Sequence, residues 1–195
     1  MLAAFECHDL DGRHSFHTGH LPEGLLLDAA RFEELWSLHP EEYHVIQMHG
    51  RPVRTPRWQQ AYGRDYHYTG HVNAALPMLA ELEPLVAWAR EAIDARLNGA
   101  LLNWYDGELD HYIGPHHDST KGLVVGSPIV TVSLGQERTF RLTQPKTKDR
   151  RDFSAVDGAV FVTPWETNKT WKHQVLKSAR LKGRRISVTL RAFAG

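Results

Sequence analysis

The stretch HYIGPHHDST, residues 111–120, places three histidines and one aspartate close together. In an extended chain, side chains two apart share a face. His116 and Asp118 therefore point one way and His117 the other. A neutral imidazole beside a carboxylate gives two corners of an octahedral metal face. A third ligand is offered by His173, in WKHQV, on a later β-like segment flanked by apolar and aromatic residues. Two histidines and one carboxylate with open positions suit non-haem Fe(II). His-x-Asp alone arises often by chance, and an exposed turn after Pro115 would account for it. A hydrolytic zinc site could use the same ligands, but it leaves the arginines described next unexplained.

The segment RRISVTLR alternates with period two. Arg185, Ser187, Thr189 and Arg191 share one face, and Ile186, Val188 and Leu190 share the other. An antiparallel strand with its polar face in water would read the same way. If that face lies inside a small barrel, two arginines need anions, because an unpaired buried charge is costly. A dicarboxylate such as 2-oxoglutarate meets that need, since guanidinium binds carboxylate bidentately. LLNWYDG repeats the pattern, placing Asn103 and Tyr105 on one face as hydrogen-bond donors to the same cosubstrate, with Leu102 and Trp104 on the other.

These residues need elements to hold them. Residues 25–39 and 76–97 carry apolar positions at helical spacing. Pro77 suits a first turn, Pro84 kinks or splits the second helix, and Asn98-Gly99 marks its end. Between them lie a short strand and a loop rich in proline, arginine and aromatics. From residue 100 the texture changes to short β-like runs: LLNWY, PIVTVSLG, RTFRLT, GAVFVT and RRISVTLRAF. The pattern predicts an α+β fold: N-terminal helices packed against a double-stranded β-helix, or jelly roll. One domain over 1–195 is expected, with a helical part plus recognition lid in 1–99 and the jelly-roll catalytic core in 100–195.

Composition excludes several classes. The 195-residue chain has 23 Lys+Arg against 23 Asp+Glu, so bulk charge names no partner. The single cysteine, Cys7, forbids an internal disulfide and suits a reducing compartment. No apolar run approaches a membrane span, and no secretory signal is visible. The expectation is a cytoplasmic protein, or a nuclear one in a eukaryote, with no membrane partner and a monomeric state. Asn168-Lys169-Thr170 matches a glycosylation acceptor, which means nothing without export. P-loop, Rossmann glycine, CxxC and Gly-x-Ser-x-Gly patterns are absent.

Taken together, Asn103/Tyr105, His116/Asp118, His173 and Arg185/Arg191 occur in the order N-x-Y, H-x-D, distal His, R-x5-R. In this the chain resembles the AlkB family of Fe(II)/2-oxoglutarate-dependent dioxygenases over roughly residues 45–193. GRPVRTPRWQQAYG and YHYTG are similar to that family's nucleotide-recognition lid, and GSPIVTVSLGQERTFRL to its core hairpin. The resemblance implies Fe(II) on His116, Asp118 and His173. It implies 2-oxoglutarate held by Asn103, Tyr105, Arg185, Ser187, Thr189 and Arg191, with Arg185 at the far carboxylate and Arg191 near the keto acid end. It implies O₂ as co-reactant, ascorbate as a stimulant, and oxidative removal of N-alkyl groups from nucleobases in DNA or RNA, a repair of alkylation damage.

On the substrate side, Trp58, Tyr62, Tyr66 and Tyr68 are candidate stacking surfaces for a flipped base. Arg51, Arg54, Arg57 and Arg64 lie among them for phosphates. Arg57, Trp58, Tyr66, Tyr68 and Thr120 are the candidate substrate contacts. Thr120 is a departure: family members that repair alkylated adenine or cytosine often carry an acid there, which puts recognition of an exocyclic amine in doubt. Three readings stay open: a nucleic-acid dealkylase, a hydroxylase or demethylase of a protein side chain or metabolite with the same chemistry, and a jelly roll that binds metal or nucleic acid without turnover.

Overall fold

Alternating side chains build the larger of two facing sheets. The structure is a computed structural model and describes residues 5–48, 50–68 and 70–195. In chain order its elements are β1 (Glu6–Asp9), β2 (Ser15–His20), α1 (Ala29–Ser37), β3 (Val45–Met48), β4 (Arg51–Arg54), β5 (Trp58–Tyr62), β6 (Tyr66–Tyr68), β7 (His71–Asn73), β8 (Ala75–Leu76), α2 (Glu83–Ala92), β9 (Gly99–Asp106) and β10 (Ile113–His116). There follow β11 (Ile129–Gly135), β12 (Arg138–Thr143), β13 (Arg150–Ala155), β14 (Ala159–Thr163), α3 (Trp165–Thr170), β15 (Lys172–Val175) and β16 (Arg184–Arg191). The major sheet runs β1-β2-β14-β11-β16-β9-β5-β8, and the minor sheet β10-β15-β12-β13. The pairs β3–β4 and β6–β7 form two separate two-stranded sheets.

The α+β double-stranded β-helix with helices on one side is the fold that forms. Ile186, Val188 and Leu190 of β16 join Leu102 and Trp104 of β9 and Val130 and Val132 of β11 in one core with α1 and α2. Burying each such side chain contributes about 1.5–3 kcal/mol. The Trp104 indole N–H donates to the Leu35 carbonyl at 3.0 Å, which ties α1 to the sheet. Asp28 caps α1 by accepting from the Arg31 amide at 2.9 Å. Pro84 sits in the first turn of α2, and residues 80–82 before it form only a 3-10 turn. The proline thus splits the expected 76–97 helix, because its ring cannot follow a full helical turn.

The opposite face of β16 looks between the sheets. Arg185, Ser187, Thr189 and Arg191 are all buried there, as are Asn103 and Tyr105. Phe140 and Leu142 of β12 and Val175 of β15, all buried, come from the minor sheet, with Tyr105 and Phe140 in one core.

One expectation needs correcting. The part before residue 100 is not simply helical: β1 and β2 extend one end of the major sheet, and β5 and β8 the other. The first pair, ECHD and SFHTGH, carries one core side chain, Phe16. Its strand character comes from pairing with β14 rather than from its own alternation. No helix among the described residues is long and apolar enough to cross a membrane.

Candidate active site

His116 ends β10, His173 lies in β15, and the two are directly paired across the minor sheet. Asp118 follows two residues after His116. Ligand atoms from the three lie within 4.8 Å of one another. Each histidine offers Nε2, at 3.5 Å (His116) and 3.6 Å (His173) from Asp118 Oδ1. The His116 Nδ1–H donates to the Gly114 carbonyl at 2.8 Å, which fixes the ring and frees Nε2. Burial, with His116 alongside, pushes His173 down to about 3, so it stays neutral and able to ligate. Burial alone would raise Asp118, but Arg191 and the two histidines hold it well below the usual carboxylate range. Two imidazoles and a carboxylate that converge in this way fit a divalent iron.

Arg191 locks the carboxylate. Its Nη2 donates to Asp118 Oδ2 at 2.6 Å, and its guanidinium lies 4.1 Å from the Tyr66 ring centroid. Asn168 of α3 braces the backbone of Asp118 from behind. Its Oδ1 accepts from the Asp118 amide at 2.9 Å, and its Nδ2 donates to the Asp118 carbonyl at 3.1 Å. Asn168 is therefore a buried brace rather than an accessible glycosylation site. His117 is outside the ligand set and gives its Nδ1–H to the Asn168 carbonyl, although its ring still borders the cavity.

The deeper end of the barrel fits a carboxylate. Arg185 is fully buried and stands over the Tyr105 ring, 5.1 Å from its centroid. Its Nε donates to Ser133 Oγ at 2.9 Å, but Nη1 and Nη2 have no partner among the described residues. Burial, with a second buried arginine, Arg138, nearby, lowers Arg185 to about 10. A buried guanidinium with two orphaned nitrogens calls for an anion. Asn103, Tyr105, Ser187, Thr189 and Arg191 line the cavity that holds the metal ligands, with Thr131 beside them; Arg185 is not in that lining and meets it through the Tyr105 ring that it stands over.

The wall facing substrate departs from expectation at several positions. Arg57, Tyr66 and Tyr68 do line the cavity, and the two tyrosines stack with centroids 5.3 Å apart. Trp58 does not. Neighbouring residues of β5 face opposite sides, so Trp58 packs away from the cavity between His39 (4.1 Å, centroid to centroid) and Tyr43 (5.4 Å). Tyr62 lies in the helix-side core. Thr120 is not part of the cavity lining; its carbonyl accepts from the Leu123 amide in a turn. Arg51, Arg54 and Arg64 are exposed, the first two on β4.

Sequence reasoning missed Gln59, which is fully buried and points inward where Trp58 points out. It also missed Asn168, Ser133 and Arg138. A polar residue beside an aromatic in a strand is the only signal for Gln59, and it does not say which of the two faces inward. Outside the metal ligands the cavity opens into a groove bordered by Ile46 and Val53 of the β3–β4 hairpin and by Arg57, Tyr68, Tyr112 and His116.

Comparison with known proteins agrees with this geometry. The model of the 2OG-Fe(II) oxygenase superfamily matches residues 25–191. The chain is 28% identical over 157 residues to the DNA oxidative demethylase ALKBH2 of Mus musculus, covering 75% of this chain and 65% of that protein. It is 27% identical to the protein of the same name from Homo sapiens, covering 75% and 60%. The chain thus spans less than two thirds of these relatives. The solved structure of OsALKBH1 superposes with a TM-score of 0.57 over 90% of this chain and 97% of that one, at 12% identity, a likeness of fold.

Proposed function

The chain belongs to the 2OG-Fe(II) oxygenase superfamily, and from that premise we propose that it oxidatively removes N-alkyl groups from nucleobases in DNA or RNA. The observation that carries this reading is the position of the stacked pair Tyr66 and Tyr68, which walls the same cavity as the metal ligands. A flat base extruded into the cavity meets an aromatic surface there, with its alkyl group toward the metal. The curated relatives named as DNA oxidative demethylases support the same substrate class.

Each side chain has a part in this reading. His116, Asp118 and His173 would hold the metal. Arg191 orients the Asp118 carboxylate and would meet the keto acid end of 2-oxoglutarate, and Arg185 would take the far carboxylate. Asn103, Tyr105, Ser187 and Thr189 would complete that cradle. When bound, Fe(II) with 2-oxoglutarate and O₂ supplies hydroxylation of a substrate C–H, with succinate and CO₂ as coproducts. An N-hydroxymethyl group then loses formaldehyde as its C–N bond breaks and the ring nitrogen is freed. Arg51 and Arg54, exposed on the β3–β4 hairpin, are placed to meet phosphates. A monomer working on alkylated nucleic acid in the cytoplasm or nucleus fits this reading.

The test is release of succinate and formaldehyde with methylated oligonucleotides, free nucleotides and amino acids. Formaldehyde from an oligonucleotide, in step with succinate, is the expected result. Consumption of 2-oxoglutarate on an amino acid, peptide or metabolite, with every oligonucleotide inert, overturns the reading.

A further inference from the structure

Four polar side chains form a chain along the substrate wall. Arg57 Nε donates to Asn103 Oδ1 at 2.7 Å, and Arg57 Nη2 donates to Gln59 Oε1 at 3.0 Å. Gln59 Nε2 in turn donates to the Tyr68 hydroxyl. The polarity of this chain is set by one fact of chemistry: an arginine can only donate. Arg57 therefore fixes which way the Asn103 and Gln59 amides face. Their oxygens turn toward the guanidinium, and each accepts one hydrogen bond from it. The Gln59 NH₂ turns to the Tyr68 oxygen and occupies it, so the Tyr68 hydrogen must point elsewhere. Burial pushes the Tyr68 hydroxyl up to about 12, so it keeps that hydrogen at any working pH.

What is left for a substrate on this wall is donors. Arg57 Nη1 has no protein partner among the described residues and is not sealed from the cavity, whereas Asn103 Nδ2 belongs to the cosubstrate cradle. The Tyr66 oxygen accepts from the Ser119 amide at 3.1 Å, so its hydroxyl hydrogen is also free. No carboxylate among the described residues pairs with Arg57: Asp118 is engaged by Arg191, and Thr120 stands outside the cavity. His117, on the β10 side, borders the cavity and is held by its Nδ1–H on the Asn168 carbonyl.

We infer that this wall selects an N-alkylated oxo-base, in which carbonyl oxygens flank the alkylated ring nitrogen, as in 3-methylthymine or 3-methyluracil, over alkylated amino bases. The inference rests on the dealkylase reading above and deepens it. Two carbonyls beside the alkylated nitrogen match a wall of donors. The alternatives match it poorly twice over. In 1-methyladenine and 3-methylcytosine an exocyclic amine would face donors and leave them unsatisfied. Both bases also carry a positive charge at neutral pH, and that charge would approach the Arg57 guanidinium in a site shielded from water.

The experiment compares three oligonucleotides of one sequence, each with a single 3-methylthymine, 1-methyladenine or 3-methylcytosine. Formaldehyde release gives kcat/KM, and binding is measured separately on protein loaded with Mn(II) and 2-oxoglutarate without oxygen. The expected result is at least a tenfold preference for 3-methylthymine in both readouts. Tyr68→Phe removes one donor and keeps the ring, and it should cut that preference by about tenfold. A parent enzyme that prefers either amino base overturns the inference and leaves the dealkylase reading standing, as does a preference that Tyr68→Phe does not alter. Failure of all three oligonucleotides in turnover and in binding removes both.

Discussion

The cosubstrate half of the cavity hangs on β9, β11 and β16, neighbouring strands at the centre of the major sheet, whereas the substrate half hangs on β5 near its edge and on the small β6–β7 pair, with β3–β4 outside them. In the first half each functional side chain is fixed by strand pairing on both sides, with Arg185 opposite Tyr105 on β9 and Gly135 on β11. In the second half, hydrogen bonds between side chains carry the order, from Arg57 through Gln59 to Tyr68. The difference is one of division of labour. On the proposed function, groups that serve the shared chemistry sit on strands paired on both sides, and groups that choose the substrate sit where pairing is short and side chains can be exchanged.

The sharpest way to break this comparison is at the metal. Asp118→Ala should lower Fe(II)-dependent succinate release by about a thousandfold or more, since it removes a ligand and leaves Arg191 buried without its partner. His117→Ala should keep most activity. Equal Fe(II) affinity in Asp118→Ala and the parent would sink the assignment.

Next comes the anchored end. Arg185→Ala should raise the 2-oxoglutarate KM at least tenfold, because a charge-assisted pair of this kind contributes about 1.5–3 kcal/mol. An unchanged KM would show that the orphaned guanidinium serves some other anion.

Trp58→Ala separates packing from recognition. Because Trp58 is clamped between His39 and Tyr43, its loss should cost about 2–4 kcal/mol of stability and lower Tm by several degrees. The oligonucleotide affinity of the protein that stays folded should hardly change. If affinity collapses while Tm stays put, Trp58 touches the substrate after all.

The smallest effect is acid sensitivity of the lid side. Burial lowers His44, with His71 beside it, and lowers His111 below 6.5. For such groups the unfolded chain binds protons first. Their contribution is complete above the unfolded value near 6.5 and is lost as pH falls below it toward the folded value. With the intrinsic fall of amide exchange with pH divided out, protection at pH 5.5 against pH 7.5 should therefore drop in β5 and β7 before it does in β9 or β16. A uniform drop in protection would mean that the two halves share one stability.

The cosubstrate half was also the legible half. RRISVTLR has an unbroken period of two, and polar residues on one face of a strand whose other face is apolar leave few arrangements. The metal ligands were readable because His-x-Asp can present both side chains to one side only in an extended chain. The substrate half resisted for the same geometric reason. Trp58 and Gln59 are neighbours on β5, so one must face in, and aromatic character favoured the wrong one. The buried glutamine is recognisable only once Arg57 is seen to need acceptors. β1, β2 and β13 escaped notice because their sequences are polar, with β1 and β13 mostly exposed; pairing makes them strands, β1 on β2, β2 on β14 and β13 on β12.

β16 follows every other strand in chain order, yet it lies between β11 and β9 in the middle of the major sheet. Until it inserts, β9 and β11 have no hydrogen-bonded neighbour on their facing sides, and the helix-side core lacks its central row. Assembly is thus governed by contacts far apart in sequence, such as Arg191 with Gly99 and with Asp118. Chains of this kind fold slowly, because loop closure must precede the contacts that compensate for it. Before β16 pairs, β9 and β11 present two open strand edges, and that is the state in which such a sheet is most exposed to edge-to-edge aggregation.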